Sequence, residues 1–522
     1  MSVDDTSSER AAVPSARAIL AVCGIAGAAC AVALWFNPQV VVALFVLAVL
    51  SVAALLLLKP AILFILLPAV FSLLLLNRFD EGFALSIAPP IALPASLWTA
   101  MFFALGLGVA VLLNREKTPS VDPVLGNFNY RFARRWALFC ALGGISLLFN
   151  RFTDDGILQR DVIGEVLALC LVAFPLAFVM FIPRSRLSRS QTLFCLRALV
   201  AMAAFAGLIM TLFGLLPDSL IGGLGWSQAI GGTSDLVRGR LPMGHPNRVA
   251  AMMLTLFPFA ALTAMGGRGF FWRVFCAAGA ALIFCGVLFS LSRAALLNMI
   301  AILGLIYLMF FFTQKHRRGL GILLILFSGI VVVAMSSILI ARYDFSRFWS
   351  RGYYEDASVS RRQDSLRTSF QVWIDHPLLG IGPDALYTRL DLRPGWTPPM
   401  SDTISPIIYY KGMLTAETPH NFYTHVLAEF GLLGGLVFFS LLWMMLRAIW
   451  HARGTPGLDL AEKEELTGLA LGVVAMLIAG MFEAVFMAGT RANILFWIYA
   501  GLAVRYAMLL SAEAAARAEP AP

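Results

Sequence analysis

Charge is scarce in this chain. Only 13 % of its 522 residues are Asp, Glu, Lys or Arg, whereas 60 % are apolar. A soluble domain carries about 25 % charged residues, so an ordinary soluble protein is excluded. Alternating polarity is also missing, which removes a transmembrane β-barrel. Cysteine is sparse, and the seven present (Cys23, Cys30, Cys140, Cys170, Cys195, Cys276, Cys285) lie in or beside apolar runs with no CxxC pair. They read as small core residues, not as ligands or disulfides. No HExxH, Walker loop, DxD-like pair or GxSxG occurs, so metal, nucleotide and serine-hydrolase sites have no sequence support. The first dozen residues are polar and acidic, unlike a cleavable signal peptide. A net charge of +9 invites a nucleic-acid reading. The basic residues instead fall between apolar runs, where membrane topology explains them, and no nucleic-acid partner is expected.

What is abundant is long apolar runs. In lipid every backbone polar group needs a partner within its own segment, so such runs are helices. The expected fold is an all-α polytopic membrane protein with about 12–14 transmembrane helices. Spans start near Arg17, Gln39, Pro60, Pro90, Arg135, Asp161, Thr192, Arg248, Phe271, Ala294, Leu320, Asn421, Leu466 and Ala492. The reading divides the chain into a tail at 1–16, a helical bundle at 17–341, a long loop at 342–419, C-terminal spans at 420–510 and a tail at 511–522. With the N-terminus inside, "RSRLSRSQ", "GGRGFFWR" and "QKHRRG" are inside loops, and they concentrate Lys and Arg as the positive-inside rule requires. The long loop then lies outside. Within it "SVSRRQDSLRTSFQVWID" puts Leu366, Phe370, Trp373 and Ile374 on one helical stripe, an amphipathic helix against the membrane face.

The chain has six histidines, and one stands in "ETPHNFYTHVLAEFGLLGG". Thr418 as N-cap and Pro419 at the first helical position place His420 in the first turn of a span. There the helix dipole disfavours the imidazolium, leaving a ring able to accept a proton. A capping or interfacial histidine is the plainer reading. Arginines collect on the same side. "RGRLPMGHPNR" supplies Arg238, Arg240, His245 and Arg248, "SLSRAALL" supplies Arg293, and the loop helix supplies Arg362. Guanidinium groups bind phosphate oxygens in pairs and keep their charge, which suits an anionic lipid headgroup. Each also has a plainer reading, as a snorkelling arginine or a carboxylate partner, and this weighs most for Arg238 and Arg248. His425 and Glu429 are spaced to pair with each other. Glu429 lies about 180° around the helix from His420, which argues against partnership between them. Glu483 and Arg491 are also spaced to pair, and Glu429 and Glu483 read as structural.

The order "RLPMGHPN", "SLSRAALL", "SRRQDSLRTSFQVWIDHPLLGIG", "PHNFYTHVLAEFGLLGG" resembles the O-antigen ligase family, over roughly Arg240 to Gly435. That superfamily includes O-antigen polymerases and protein O-oligosaccharyltransferases. The resemblance implies transfer of a glycan from undecaprenyl pyrophosphate to a hydroxyl of lipid A-core, at the periplasmic face of the bacterial inner membrane. It implies His420 as catalytic base, and Arg240, Arg362 and Arg293 as holders of the pyrophosphate. Asn421, His245 and Asn247 are supporting residues. The reaction implied is inverting, without metal or cofactor. A transporter would instead place ionisable groups near mid-membrane in several broken spans, whereas here they gather at the outer face.

Overall fold

The computed structural model describes residues 123–152, 162–185, 187–215, 246–266, 269–313, 352–383, 420–483, 485–486 and 491–518. It also describes three short hairpins within 84–94, 227–239 and 408–415, and a few isolated positions. The protein is an all-α polytopic membrane protein. Nine long helices stand where spans are expected. They are α1 Phe128–Phe152, α2 Val162–Phe181, α3 Arg189–Leu215, α4 Pro246–Gly266, α5 Phe270–Phe289, α6 Arg293–Thr313, α8 Phe422–Arg453, α9 Leu460–Gly480 and α10 Arg491–Ala518. Between α6 and α8 the long loop holds α7, Gly352–Asp375. Among the described residues seven helices are long and apolar enough to cross a membrane. The expected spans near Arg17, Gln39, Pro60 and Leu320 lie outside the described residues, apart from isolated positions in the last. The expected span near Pro90 does so beyond a hairpin of Ala84–Ala88 (β1) with Ile91–Pro94 (β2).

The hairpin Ser227–Ala229 with Val237–Gly239 (β3, β4) lies between α3 and α4, and that of Ile408–Tyr410 with Met413–Thr415 (β5, β6) lies in the expected long loop. Between lipid-embedded helices there is no hydrophobic force to exploit, so close approach relies on small residues. Accordingly α9 packs on α4 through Gly468 and Gly472. A Cβ on Gly468 would meet the Phe259 backbone at 2.6 Å, and one on Gly472 would strike the Thr255 carbonyl. Helices α3 and α5 cross where Gly207 meets Gly286.

These contacts fix direction. α9 runs antiparallel to α4, so its C-terminus lies beside Pro246. α5 returns from Gly266 to the same end, and the turn after it starts α6 there. In that turn Leu291 takes φ 51°, Ser290 Oγ accepts from Ser292 N at 3.2 Å, and Ser292 Oγ caps Ala295 N at 3.2 Å.

The opposite end is locked by buried acids. Asp459 and Glu462 form a capping box at the start of α9. Glu462 also takes Arg189 of α3 at 2.9 Å and Arg517 of α10 at 3.2 Å. Tyr506 donates to Glu465. The polar run "AEKEEL" thus survives in an apolar bundle in part because Glu462 caps a helix and meets two arginines while Glu465 accepts from a hydroxyl.

Candidate active site

Helix α8 is not one rod. Gly431 takes φ 63°, ψ −170° and breaks it, a backbone region that glycine alone adopts at ease. Sixteen residues of straight helix would separate Phe422 from Phe438 by about 24 Å. Their rings are 5.4 Å apart, and Tyr423 stacks on Phe439 at 5.6 Å. The segment 422–430 therefore folds back along 432–453.

Breaking a helix in a membrane frees backbone groups that need new partners. The turn 377–382, at the end of α7, supplies them. Ile381 and Gly382 donate to the carbonyls of Ala428 and Glu429, both at 2.9 Å. Leu432 and Leu433 donate to the carbonyls of Pro377 and Leu378 at 2.8 and 3.1 Å. Gly380, at φ 69°, lies against Gly431, and a Cβ on either would collide with the other strand's backbone. "HPLLGIG" and "AEFGLLGG" are thus two halves of one clasp that ties the loop helix to the span.

The fold-back corrects the expected setting of His420. The N-cap is Asn421, in an extended conformation, whose side chain accepts from Tyr423 N at 2.9 Å and Thr424 N at 3.1 Å. Thr418 does not hold that place, and His420 lies just before the helix instead of in its first turn. It is also not at the mouth of the span. It sits at the far end of the folded-back segment, beside the C-terminus of α9, where Asn421 Nδ2 donates to Met481 O at 3.2 Å.

There His420 meets Glu483. The ring Nδ1 is 3.4 Å from Glu483 Oε2. The carboxylate is 4 % exposed and the imidazole 24 %. Two groups from the start of α4 share the same carboxylate: Asn247 Nδ2 at 3.4 Å and Arg248 Nε at 3.5 Å. All three distances are at the outer limit of direct contact, so Glu483 is a shared hub. Chemically, an imidazole that gives its Nδ1 proton to a carboxylate is held in one tautomer and one orientation, with Nε2 directed to a reactant.

Of the residues singled out from sequence, His420 and Asn247 meet on Glu483. Asn421 acts as a helix cap. Arg293 is the first residue of α6 with an exposed side chain. Asn298 donates to Ala475 O at 2.8 Å, and five residues of antiparallel helix, about 7.5 Å, bring Arg293 to the level of Gly480, three residues from Glu483. Arg362 is half-buried on α7. Arg240, His245 and the side chain of Arg491 lie outside what is described. His425 and Glu429 do pair, at 3.0 Å and fully buried. Sequence reading missed Glu483 and discounted Arg248. The available signal was an acid near the end of an apolar span with no basic residue three or four positions away. Among the described residues no three His, Cys, Asp or Glu side chains gather as metal ligands.

Residues 278–439 match the O-antigen ligase family. The matched stretch takes in Arg293, Arg362, the clasp, His420 and Asn421. This part of the chain is therefore similar to O-antigen ligases. Asn247, Arg248 and Glu483, which complete the arrangement, lie outside it. No curated protein matches the chain.

Proposed function

We propose that the protein is an O-antigen ligase of the bacterial inner membrane. It moves a glycan from undecaprenyl pyrophosphate to a hydroxyl of lipid A-core at the periplasmic surface. The observation that carries this reading is the His420–Glu483 pair at the end of the bundle that holds Pro246, in a chain of which residues 278–439 match the O-antigen ligase family.

His420 Nε2 takes the proton of the acceptor hydroxyl while Glu483 holds Nδ1–H. The hydroxyl oxygen forms its bond to the anomeric carbon as the bond to the pyrophosphate oxygen breaks on the opposite face, inverting that carbon. The pyrophosphate leaves with the bonding pair. Arg240, Arg293 and Arg362 stabilise the charge that grows on it, which is the step where fixed cations contribute most. Supporting this assignment, Arg293 lies at the level of the pair, and Arg362 lies on the helix clasped to α8. Arg248 balances Glu483 and is assigned to the dyad, not to the donor.

A transfer assay tests the reading. Purified protein receives polyprenyl-linked glycan with either lipid A-core or a pilin-like protein as acceptor. Transfer to lipid A-core that disappears in His420→Ala supports it. Transfer only to the pilin, or only lengthening of the polyprenyl-linked glycan, reassigns the chain to protein glycosylation or polymerisation. Near-normal transfer by His420→Ala removes the base.

A further inference from the structure

Helix α7 has three faces. Ser365, Thr368, Ser369 and Val372 are buried, and α7 packs on α8 and β6. Arg367 and Gln371 lie on a polar face, where Gln371 donates to Asp375 at 3.2 Å. The third face is apolar yet exposed among the described residues: Leu366, Phe370 and Ile374 are 39, 48 and 51 % exposed, and Leu378 in the clasp continues the line at 58 %. The large apolar side chains are thus turned outward, and small hydroxyl residues make the protein contact.

The clasp fixes where that stripe lies. Leu433 N is bonded to Leu378 O, so the stripe runs directly into Leu432, Leu433 and Leu436, which are exposed on the spanning part of α8 together with Trp443 and Trp450. Among the described residues nothing covers that apolar surface, which lies on a helix long enough to cross a membrane. From Leu432 to Arg453 is 22 residues, about 33 Å, and a hydrocarbon core is about 30 Å thick. The break at Gly431 therefore lies at one boundary of the core, and α7 leaves from that boundary.

We propose that α7 is an interfacial helix, with Leu366, Phe370, Ile374 and Leu378 inserted among the acyl chains and headgroups of the leaflet nearest His420. The partner is the bilayer itself. Arg362, one turn before Leu366 and two before Ser369, stands on the seam between the lipid-facing and protein-facing sides. Any charged lipid headgroup approaching the dyad along that surface passes it. This inference stands without the transfer reaction.

Photo-crosslinking of the full chain in nanodiscs of phosphatidylethanolamine and phosphatidylglycerol tests it. A benzophenone amino acid replaces Phe370, which it resembles in shape, and in separate samples Ile374, Arg367, Gln371 or, as lipid-facing reference, Leu436. The expected result is lipid adducts by mass spectrometry at 370 and 374, comparable to 436 and at least about five-fold above 367 and 371, as a helix lying in the interface plane requires. Yields at 370 and 374 no higher than at 367 overturn the proposal. So do adducts to residues 384–419 of the same chain or to a second copy, which would make the stripe a protein interface.

Discussion

In the proposed reaction Glu483 acts on the His420 ring without touching a reactant. If Glu483 holds Nδ1–H, Glu483→Gln keeps the shape but allows the amide to present its NH2 to the ring and favour the wrong tautomer. Transfer should then fall in kcat, by between about 10- and 10^4-fold in the manner of a triad carboxylate, with donor KM little changed. A merely structural Glu483 would lower protein yield and leave the kcat of the surviving protein intact. Asn421 gives the opposite expectation. Its side chain caps 422–430, so Asn421→Ala should cost about 1 kcal/mol of thermal stability, with Asn421→Ser restoring most of it. If Asn421→Ser recovers stability but not transfer, Asn421 has a second role at the site. Both residues show what sequence spacing conveys. His420, Asn421 and the arginines were legible because their types are rare in apolar surroundings. Glu483 was not, because its partners lie on α4 and at the start of α8, 63 or more positions away, and an acid assigned to a local pair looks structural.

At the level of elements, the fold-back of α8 was hidden for a related reason. "FYTHVLAEFGLLGGLVFFSLL" carries the same apolar run whether it makes one helix or two, and glycines are common in membrane helices for packing alone. Only the clasp with 377–382 decides it, and that contact is not encoded in the local pattern. The prediction is correspondingly specific. Gly431→Ala must place a methyl group against the Leu378 backbone in a conformation that costs a non-glycine residue about 1–3 kcal/mol. Gly380→Ala meets the Glu429 backbone from the other side. Each should lower the unfolding temperature in detergent, and each should raise donor KM more than it lowers kcat if Arg362 is positioned through the clasp. Gly434 tests the alternative that any small residue serves. It keeps helical geometry and meets only the Phe430 side chain, so Gly434→Ala should be milder in both readouts. Equal losses at 431 and 434 would mean that packing, not the break, is what glycine provides.

For the whole molecule, the nine described spans were readable because lipid forces helices wherever apolar runs are long, while their pairing was not, since it rests on glycine contacts between distant segments. That pairing nonetheless yields an orientation. Pro246, Arg293, His420 and Glu483 share one end, and Arg189, Glu462 and the last turn of α10 share the other. The connections at the second end carry Arg184, Arg186, Arg189, Arg268, Arg273, Lys315, Arg317 and Arg318. Short loops rich in Lys and Arg stay in the cytoplasm, so the dyad should face the periplasm. A green fluorescent protein fused after Pro522 should therefore fluoresce, because it folds on the cytoplasmic side. Alkaline phosphatase inserted between 384 and 407 should be active in intact cells, because it needs the oxidising periplasm. Each reporter placed at the other's position should be silent. The reverse pattern would put His420 and its arginines on the cytoplasmic face, where a periplasmic transfer reaction has no access to them, and the transferase reading would fall with the topology even if the dyad proved catalytic.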